Sequence, residues 1–370
     1  MRFNNDPYKK YNLYEFATRV TRKNKDNVSN LPLTISAQYG LVDQVSFFNK
    51  TVASKDMSGY YLLKNGEFAY NKSYSNDYPW GAIKRLDLYD MGCLSTLYIC
   101  FKTNDNIVNS NYLVHYFESS KWHKQVADIA GEGARNHGLL NIGVNDFFNT
   151  KHAVPTIENQ IKIAGFLDLI EKRIQTQIKI IDDYNSLKIG IYNWMFKENY
   201  ADYKLKQLAY IVKGDQINND QLLSNGSYYM MNGGTSPSGY LDSYNVSENT
   251  ISISEGGNSC GYVQFNSSPF WSGGHCYTIQ NVNSALIDNK YLYHYLKHKE
   301  KEIMNLRIGT GLPNIQKRDL ENFTILAPNL SIQRKNLALF EMLDEKISVL
   351  NEELTILKKQ KKYLLCNMFI

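Results

Sequence analysis

Two long stretches of the chain carry apolar residues at alternating intervals of three and four. This spacing is typical of helices that bury one face against a partner helix. Neither stretch has an internal proline, and Pro155 and Pro328 stand just upstream, where proline is compatible with a helix start. We therefore predict two helices of about 40 residues, each about 60 Å long. Their seam positions are Leu167, Ile170, Ile174, Gln177, Ile181, Tyr184, Lys188, Ile191 and Met195 in the first helix, and Phe340, Leu343, Ile347, Leu350, Leu354, Leu357, Lys361, Leu364 and Met368 in the second.

The two helical stretches belong to an internal repeat. Residues 138–196 align without a gap with residues 311–369, and 13 of the 59 positions are identical. A shorter match relates residues 11–20 to residues 203–212. The chain therefore alternates variable modules with constant segments. We assign the modules to residues 1–153 and 198–326, and the spacer helices to residues 154–197 and 327–370.

The direction of the two helices can also be predicted. Two apolar stripes of matching length in one chain most economically bury each other, and an antiparallel arrangement would place the modules at opposite ends. The modules would then be related by a pseudo-twofold axis near Ile181 and Leu354, as in a symmetric dimer. Lys188 and Lys361 interrupt the apolar seams at equivalent positions, and such polar breaks help to fix register.

The modules themselves have a different pattern. They are rich in Tyr, Phe, Ser, Asn and Gly, with short runs typical of strands, such as Cys93–Phe101 and His275–Val282. The predicted fold class is α+β. It comprises two mixed, strand-rich globular domains separated by two long antiparallel coiled-coil helices, with a pseudo-twofold internal repeat.

Length, charge and composition indicate which classes of protein this chain does not resemble. At 370 residues the chain exceeds one ordinary core, and its net charge of +5 does not by itself indicate nucleic acid. No run of about 18 apolar residues occurs, so we expect no membrane span. The first residues have no apolar signal core, and the five cysteines form no Cys-x-x-Cys pair, so we expect a cytoplasmic protein. Histidines lack ligand spacing, so no metal is expected, and His275-Cys276 is interpreted as packed strand residues.

No short motif in the sequence matches a methyltransferase or nucleotide-binding motif in full. "NDPY" (residues 5–8) resembles the Asn-Pro-Pro-Tyr type motif of adenine methyltransferases, but Asp6 replaces an apolar proline. "AGEGAR" (residues 130–135) has two glycines, yet no hydrophobic strand leads into it. A phosphate-binding Gly-x-x-x-x-Gly-Lys-Ser/Thr loop does not occur. We therefore expect no catalytic residues in this chain.

The repeated elements resemble the specificity subunit of Type I restriction–modification enzymes. The first copy reads "GLLNI…VPTIENQIKIAGFLDLIEKRI" and the second "GLPNI…APNLSIQRKNLALFEMLDEKI", each leading into its long helix. The family pattern is Gly-Leu-x-Asn-Ile, a proline-containing turn, Gln-x-x-Ile and a long helix. The second copy departs from it at Asn336, where the first has Ile163. The resemblance covers essentially the whole chain.

This resemblance implies a function and partners. Each module would be a target recognition domain that reads one half of a split, asymmetric sequence in double-stranded DNA. The helices would set the gap between the half-sites and dock two methyltransferase subunits, which restriction subunits would join. The chain itself would need no cofactor, whereas S-adenosylmethionine, ATP and Mg²⁺ would be bound by the partner subunits. The predicted coiled-coil and partner-docking residues are Leu167, Ile170, Ile174, Ile181, Tyr184, Ile191, Phe340, Leu343, Ile347, Leu350, Leu354, Leu357 and Leu364.

Candidate DNA contacts were chosen by residue type and loop composition. Phosphates are bound by Lys, Arg and small polar side chains, and base edges by Arg, Lys, Asn, Gln and Ser in loops that can enter a groove. In the first module these criteria select Lys72, Ser73, Tyr74, Lys84, Arg85, Arg135, Asn136 and His137. In the second they select Asn232, Thr235, Ser236, Ser238, Asn258, Ser259, Lys317 and Arg318.

Two other functions are compatible with parts of the sequence. A scaffold with coiled-coil spacing could use Tyr-rich modules to bind protein or glycan, and it would show no DNA affinity. A DNA reader, in contrast, loses affinity steeply as salt rises, because phosphate contacts release counterions. The third possibility, a self-contained DNA methyltransferase, is disfavoured because the methyl-donor motif is missing.

Overall fold

A computed structural model describes residues 8–36, 39–75, 78–131, 138–196, 200–309 and 311–369. The chain divides into two compact units. The first comprises residues 1–177 and 353–370, and the second comprises residues 178–352. Each unit thus combines one module with parts of both long helices.

The first module contains ten strands and five short helices among its described residues. The strands are β1 (Lys9–Asn12), β2 (Ala17–Arg19), β3 (Leu33–Ser36), β4 (Gly40–Asp43), β5 (Tyr61–Lys64), β6 (Phe68–Asn71), β7 (Ala82–Arg85), β8 (Met91–Leu94), β9 (Ile99–Thr103) and β10 (Lys151–Val154). The helices are α1 (Leu13–Phe16), α2 (Gln44–Phe48), α3 (Ser110–Glu118), α4 (His123–Ala127) and α5 (Val144–Phe148), and a 3-10 turn covers Lys25–Asn27. The long helix α6 (Ile157–Met195) follows.

The second module contains nine strands and four short helices among its described residues. The strands are β11 (Ala201–Lys204), β12 (Tyr210–Lys213), β13 (Tyr228–Met231), β14 (Gly239–Leu241), β15 (Thr250–Ser254), β16 (Val263–Asn266), β17 (Trp271–Ser272), β18 (Cys276–Gln280) and β19 (Thr324–Ala327). The helices are α7 (Leu205–Leu208), α8 (Asn289–His298), α9 (Glu300–Met304) and α10 (Lys317–Glu321), with a 3-10 turn at Asn219–Gln221. The second long helix, α11 (Leu330–Asn367), ends the described elements.

Both long helices predicted from the apolar spacing are confirmed. They have 39 and 38 residues, and each begins two residues after its proline. Side-chain burial follows the predicted seam, since every seam residue is buried or half-buried while most residues between them are exposed. The best-buried seam side chains, at 8% exposure or less, are Leu167, Ile174, Ile181, Phe340, Leu343, Leu350, Leu357 and Met368.

Within each unit the two helices run antiparallel. In the first unit Lys361 binds Glu171, and Gln177 donates to Glu353 over 3.0 Å, so rising numbers on one helix face falling numbers on the other. The helices are also antiparallel in the second unit, where Lys188 binds Asp344 and the Tyr192 ring packs edge-on against Phe340. The second contact lies one turn later on α6 and one turn earlier on α11.

Each module is built on its own four-stranded sheet, and the two sheets have the same strand order. The first has a four-stranded antiparallel sheet in the order β2-β9-β6-β7, and the second repeats it as β12-β18-β15-β16. In both, a strand near the start of the module pairs with the strand that leads into the long helix, β1 with β10 and β11 with β19. Alternating apolar residues on one face of each sheet pack on a helix and on the long helices, which gives each module its own core.

One run of the sequence was interpreted wrongly. The apolar segment Cys93–Phe101 is not a single strand, because β8 ends at Leu94 and β9 begins at Ile99. Between them the Ser95 hydroxyl accepts from the Leu97 amide, and the Ser95 carbonyl accepts from the Tyr98 amide. Serine side chains that bind nearby backbone favour turns over strands.

A buried glutamine repeats the same three hydrogen bonds at the start of each long helix. In the first unit, Gln160 accepts from the Asn109 amide (2.7 Å) and donates to the carbonyls of Pro155 (2.8 Å) and Ile107 (3.2 Å). Its counterpart is Gln333. It accepts from the Asp288 amide (2.8 Å) and donates to the carbonyls of Pro328 (2.7 Å) and Leu286 (2.9 Å). Each glutamine thus fixes its long helix to the loop before α3 or α8.

The two lysines that interrupt the seams form equivalent ion pairs. Lys361 lies 2.6 Å from Glu171 and 2.9 Å from Glu118, and Lys188 binds Asp344, the residue equivalent to Glu171. Burial alone would raise the pKa of Glu118, but Lys361 and Lys84 outweigh it and lower that pKa. A cation placed against a partly buried anion on the facing helix favours one register, since a shift would leave both charges unpaired.

We expect the stability of the first unit to fall in mild acid because of His152. Burial lowers the pKa of this histidine to about 4, against about 6.5 in an unfolded chain. The unfolded chain therefore takes up a proton between about pH 6.5 and 4 that the folded chain does not, and the free energy of unfolding falls in that interval.

The expected loss is about 3 kcal/mol, measured by urea unfolding at several pH values. The variant His152→Gln should show a smaller loss. Some pH dependence should remain, because burial also lowers the pKa of His294 to about 4. An identical pH dependence in both proteins would contradict this assignment.

Candidate DNA-binding loops and helix surface

In the first module the candidate loop begins where the central strand β6 ends. Lys72–Tyr74 continue the strand and pair with residues 138–140, because the Leu140 amide donates to the Lys72 carbonyl (2.9 Å) and the Tyr74 amide to the Gly138 carbonyl (3.1 Å). Gly138 has φ +70°, a conformation that favours glycine. The Tyr74 side chain is exposed, and a contact of this loop with DNA stays a prediction.

Lys84 and Arg85 have partners inside the module. Lys84 lies 3.3 Å from Glu118. The Arg85 guanidinium binds Asp87 (2.7 Å), the Ser110 hydroxyl (2.9 Å) and the Asn111 amide oxygen (2.7 Å). Both side chains are less than one-fifth exposed, so the structure gives them a structural role and does not favour the predicted contact with phosphates.

Part of the predicted site lies outside the described residues. This applies to Arg135, Asn136 and His137, which precede the repeated glycine. The "NDPY" motif begins there too, and "AGEGAR" falls mostly in the same undescribed segment.

In the second module several loops meet at the end of β15, the counterpart of β6. The Ile315 amide donates to the Glu255 carbonyl (2.9 Å), and the Gly257 amide donates to the Pro313 carbonyl (3.0 Å). The repeated Gly-Leu-x-Asn-Ile segment therefore pairs with the central strand in both modules. The register of this pairing differs by two residues between the modules. In the first module the second residue of the segment, Leu139, pairs with Ser73, whereas in the second module the fourth residue, Asn314, pairs with Gly256. Leu312 is consequently 87% exposed at the tip.

The predicted DNA-contact residues of the second module lie near these loops and differ in how exposed their side chains are. The Asn232 amide oxygen accepts from the His275 backbone amide (3.0 Å), so this side chain holds two loops together. Ser259 is half-buried, and Lys317 and Arg318 begin the short helix α10, just after Ile315. Exposed side chains on the neighbouring loops are Thr235, Ser236, Ser238 and Asn258.

The sequence reasoning missed a polar cluster at the same place. Glu255 is buried, and its carboxylate lies 2.6 Å from Lys213, 3.2 Å from the Tyr277 hydroxyl and 3.6 Å from His275. His275 does not pack inside the strand as predicted, since its side chain is 63% exposed and only Cys276 is buried. The Gly273-Gly274 pair before His275 was the available signal, because two glycines before a histidine form a loop and not a strand.

The predicted docking residues of the long helices are mostly used inside the chain. Because their side chains face the partner helix, a second protein could not reach the best-buried ones. Apolar side chains do face outward on α11, at intervals of seven residues. They are Met342 and Val349 in the second unit, 58% and 43% exposed, and Ile356 and Tyr363 in the first, 54% and 69% exposed.

Neither a metal site nor a membrane helix is found in the part of the chain that the structure describes. No three His, Cys, Asp or Glu side chains there are placed to hold a metal ion. No described helix combines the length and apolar character needed to cross a bilayer.

Comparison with known proteins relates part of this chain to Type I specificity subunits. Residues 197–359 match the family described as "Type I restriction modification DNA specificity domain". A Mycoplasma pneumoniae protein assigned as a type I specificity subunit is 33% identical over 162 residues, 44% of this chain and 43% of that protein. Residues 197–359, less than half of the chain, are therefore similar to the Type I DNA specificity domain. A Mycoplasma genitalium protein assigned to this family is 32% identical over 127 residues, 34% of this chain and 33% of that protein. The aligned region thus spans less than half the length of these relatives.

Solved structures of Type I systems share the fold along nearly the whole chain. The crystal structure of a Type I system S subunit from M. genitalium gives a TM-score of 0.63 at 16% identity, covering 99% of this chain and 97% of that one. A second structure, reported for complex assembly and conformational transition of a type I system, gives 0.61 at 17% identity, covering 97% and 96%. At this identity the likeness concerns the fold, which contains two strand-rich modules, each leading into a long helix.

Proposed function

We propose that this chain is the DNA-specificity subunit of a Type I restriction–modification complex and that it catalyses no reaction itself. Each module would read one half of a split, asymmetric target in double-stranded DNA. The observation that carries this proposal is the repeated sheet. The same four strands present loops at the end of β6 and β15, yet the residues at those ends differ, Lys72–Tyr74 in one module and Glu255–Gly257 in the other. Equal scaffolds with unlike loops suit two unlike half-sites.

The long helices would separate the half-sites and dock the catalytic partners. We propose that two methyltransferase subunits cover the outward-facing apolar pairs of α11, Met342 with Val349 and Ile356 with Tyr363, and that restriction subunits join through them. S-adenosylmethionine, ATP and Mg²⁺ would be bound by those partners. Support comes from the exposure of these four side chains, because apolar residues at heptad spacing on an exposed helix face are typical of a helix-binding surface. We place the complex in the cytoplasm, where its DNA substrate lies.

Long-read sequencing of modified bases tests the function directly. We expect host DNA to carry methylation at one split, asymmetric motif when the chain and its methyltransferase partner are both present. The motif should disappear when this chain alone is deleted, because the partner then has no sequence reader. Methylation that is unchanged in the deletion strain would refute the proposal.

DNA binding by the purified complex complements that test. Affinity for the motif should fall steeply between about 50 and 200 mM salt, because phosphate contacts release counterions. A complex without measurable DNA affinity at low salt would instead favour the protein- or glycan-binding scaffold.

A further inference from the structure

Glu255 is a buried carboxylate at the candidate DNA-binding end of the second module. It is 8% exposed and follows β15 directly. Its backbone is fixed from both sides, since its amide donates to the His275 carbonyl (2.9 Å) and its carbonyl accepts from the Ile315 amide (2.9 Å). A carboxylate held this far from water needs partners, and each of its neighbours can supply a proton or a positive charge.

Three side chains surround the carboxylate. Lys213 neutralises it from 2.6 Å. The Tyr277 hydroxyl donates to it over 3.2 Å, and burial, together with the Glu255 charge, raises the pKa of Tyr277 to about 12, so that hydroxyl keeps its proton. The third neighbour, His275, presents Nδ1 at 3.6 Å. Glu255 therefore has two close partners, Lys213 and Tyr277. Of the three neighbours Tyr277 is buried, whereas the Lys213 and His275 side chains are 50% and 63% exposed.

The backbone of His275 is fixed by hydrogen bonds, whereas its side chain is exposed. Its backbone amide donates to Asn232 and its carbonyl accepts from Glu255, so both neighbouring loops hold the residue. Because Nδ1 faces the carboxylate, Nε2 on the other side of the ring faces away from it. A neutral ring with its proton on Nδ1 then presents Nε2 as a hydrogen-bond acceptor.

Glycines let the loops around His275 pack closely together. A Cβ on Gly274 would lie 2.4 Å from the Gln216 side chain, and one on Gly273 would lie 2.6 Å from Asn232. Gly233 and Gly257 have φ values of +82° and +74°, which other residues rarely adopt. His275 is therefore held between closely packed loops, and its side chain is 63% exposed to another molecule.

We infer that His275 is a specificity-determining residue of the second module that accepts a hydrogen bond from a base amino group, and that Glu255 is its positioning residue. This inference rests on the proposed function. In the major groove the amino groups are N4 of cytosine and N6 of adenine, so the half-site read by this module contains C or A at the position opposite His275. Glu255 acts by orienting the ring, with Nδ1 towards the carboxylate and Nε2 outward.

The test uses the full complex of this chain with its methyltransferase partner. Duplexes with a constant first half-site and a randomised second half-site are methylated, and the rate for each sequence is read by sequencing. The wild-type complex should prefer C or A at one position of the second half-site. His275→Ala should reduce that preference about tenfold or more while leaving every other position unchanged, because one base contact is lost.

The variant Glu255→Gln distinguishes a role in orienting His275 from a general loss of structure in the second module. It should weaken the preference at the same position, and it should change nothing further in a chain that already carries His275→Ala. A purely structural effect would instead add to that of His275→Ala or reduce all rates together. Glu67→Gln is the matched control: Glu67 is 7% exposed and 2.7 Å from Arg22, but it precedes β6, at the opposite end of the equivalent strand. This control should leave the second half-site preferences unchanged.

The outcomes separate this inference from the proposed function. If the wild-type complex shows sequence preference and His275→Ala keeps the same preference at every position, the role of His275 is refuted and the function stands. If the wild-type complex methylates all sequences alike, the proposed function itself fails.

Discussion

Replacing Gln160 by alanine is expected to lower the free energy of unfolding of the first unit by about 3 kcal/mol. Gln160 is 0% exposed and makes three hydrogen bonds to backbone groups. Alanine removes all three and leaves the Asn109 amide and the Pro155 carbonyl without that partner. A hydrogen bond contributes about 1 kcal/mol net, and an unsatisfied buried group costs about 1–3 kcal/mol.

The same change at Gln333 should destabilise the second unit equally, since it makes the same three bonds. Differential scanning calorimetry measures both variants, and a loss of this size should lower the midpoint by about 6 °C or more. Gln360→Ala is the control, an exposed glutamine on α11 whose loss should cost less than about 0.5 kcal/mol. Midpoints of Gln160→Ala and Gln333→Ala within 1 °C of the control would contradict the assigned role.

Val349→Asp combined with Ile356→Asp is expected to abolish binding of the methyltransferase subunits without unfolding the chain. These side chains are 43% and 54% exposed, so the isolated chain tolerates aspartate at both positions. In the proposed complex each would be covered. Losing two buried apolar side chains costs about 1.5–3 kcal/mol apiece, and burying two unpaired carboxylates costs more. The affinity should therefore fall by about a thousandfold or more.

Size-exclusion chromatography with light scattering measures this effect on the purified mixture. The matched control is Ser348→Asp with Thr355→Asp, which adds the same charges at the same spacing on the adjacent face of the helix. That control should form the complex as the wild type does, and both variants should retain the wild-type melting temperature. Normal assembly of Val349→Asp with Ile356→Asp would show that the partners bind another surface.

The long helices were predictable because their pattern is local. Apolar residues at intervals of three and four point to one side of a helix whatever the rest of the chain does. The two seams, from Leu167 to Met195 and from Phe340 to Met368, follow that pattern. The same reasoning failed for Cys93–Phe101, since apolar composition alone does not distinguish one strand from two strand ends joined by a turn. It also placed His275 inside a strand, although the two glycines before it form a loop.

Candidate DNA contacts could be predicted only by residue type. Residue type and loop composition select Lys84 and Arg85 as candidate DNA contacts, but α3 supplies Glu118, Ser110 and Asn111 as their partners. Those partners lie 25 to 34 residues away in sequence, and nothing in the local pattern announces the pairing.

The amino-acid sequence by itself determined the internal repeat, the two long helices, their apolar seams and the resemblance to Type I specificity subunits, because each is recorded in the order and spacing of residues. Only the tertiary structure decided which polar side chains meet. Gln160 reaches the loop before α3, Lys361 reaches Glu118, and Glu255 lies beside both Lys213 and His275. Such contacts depend on sheet register and on the direction of two helices, and these are set by packing among residues far apart in the chain.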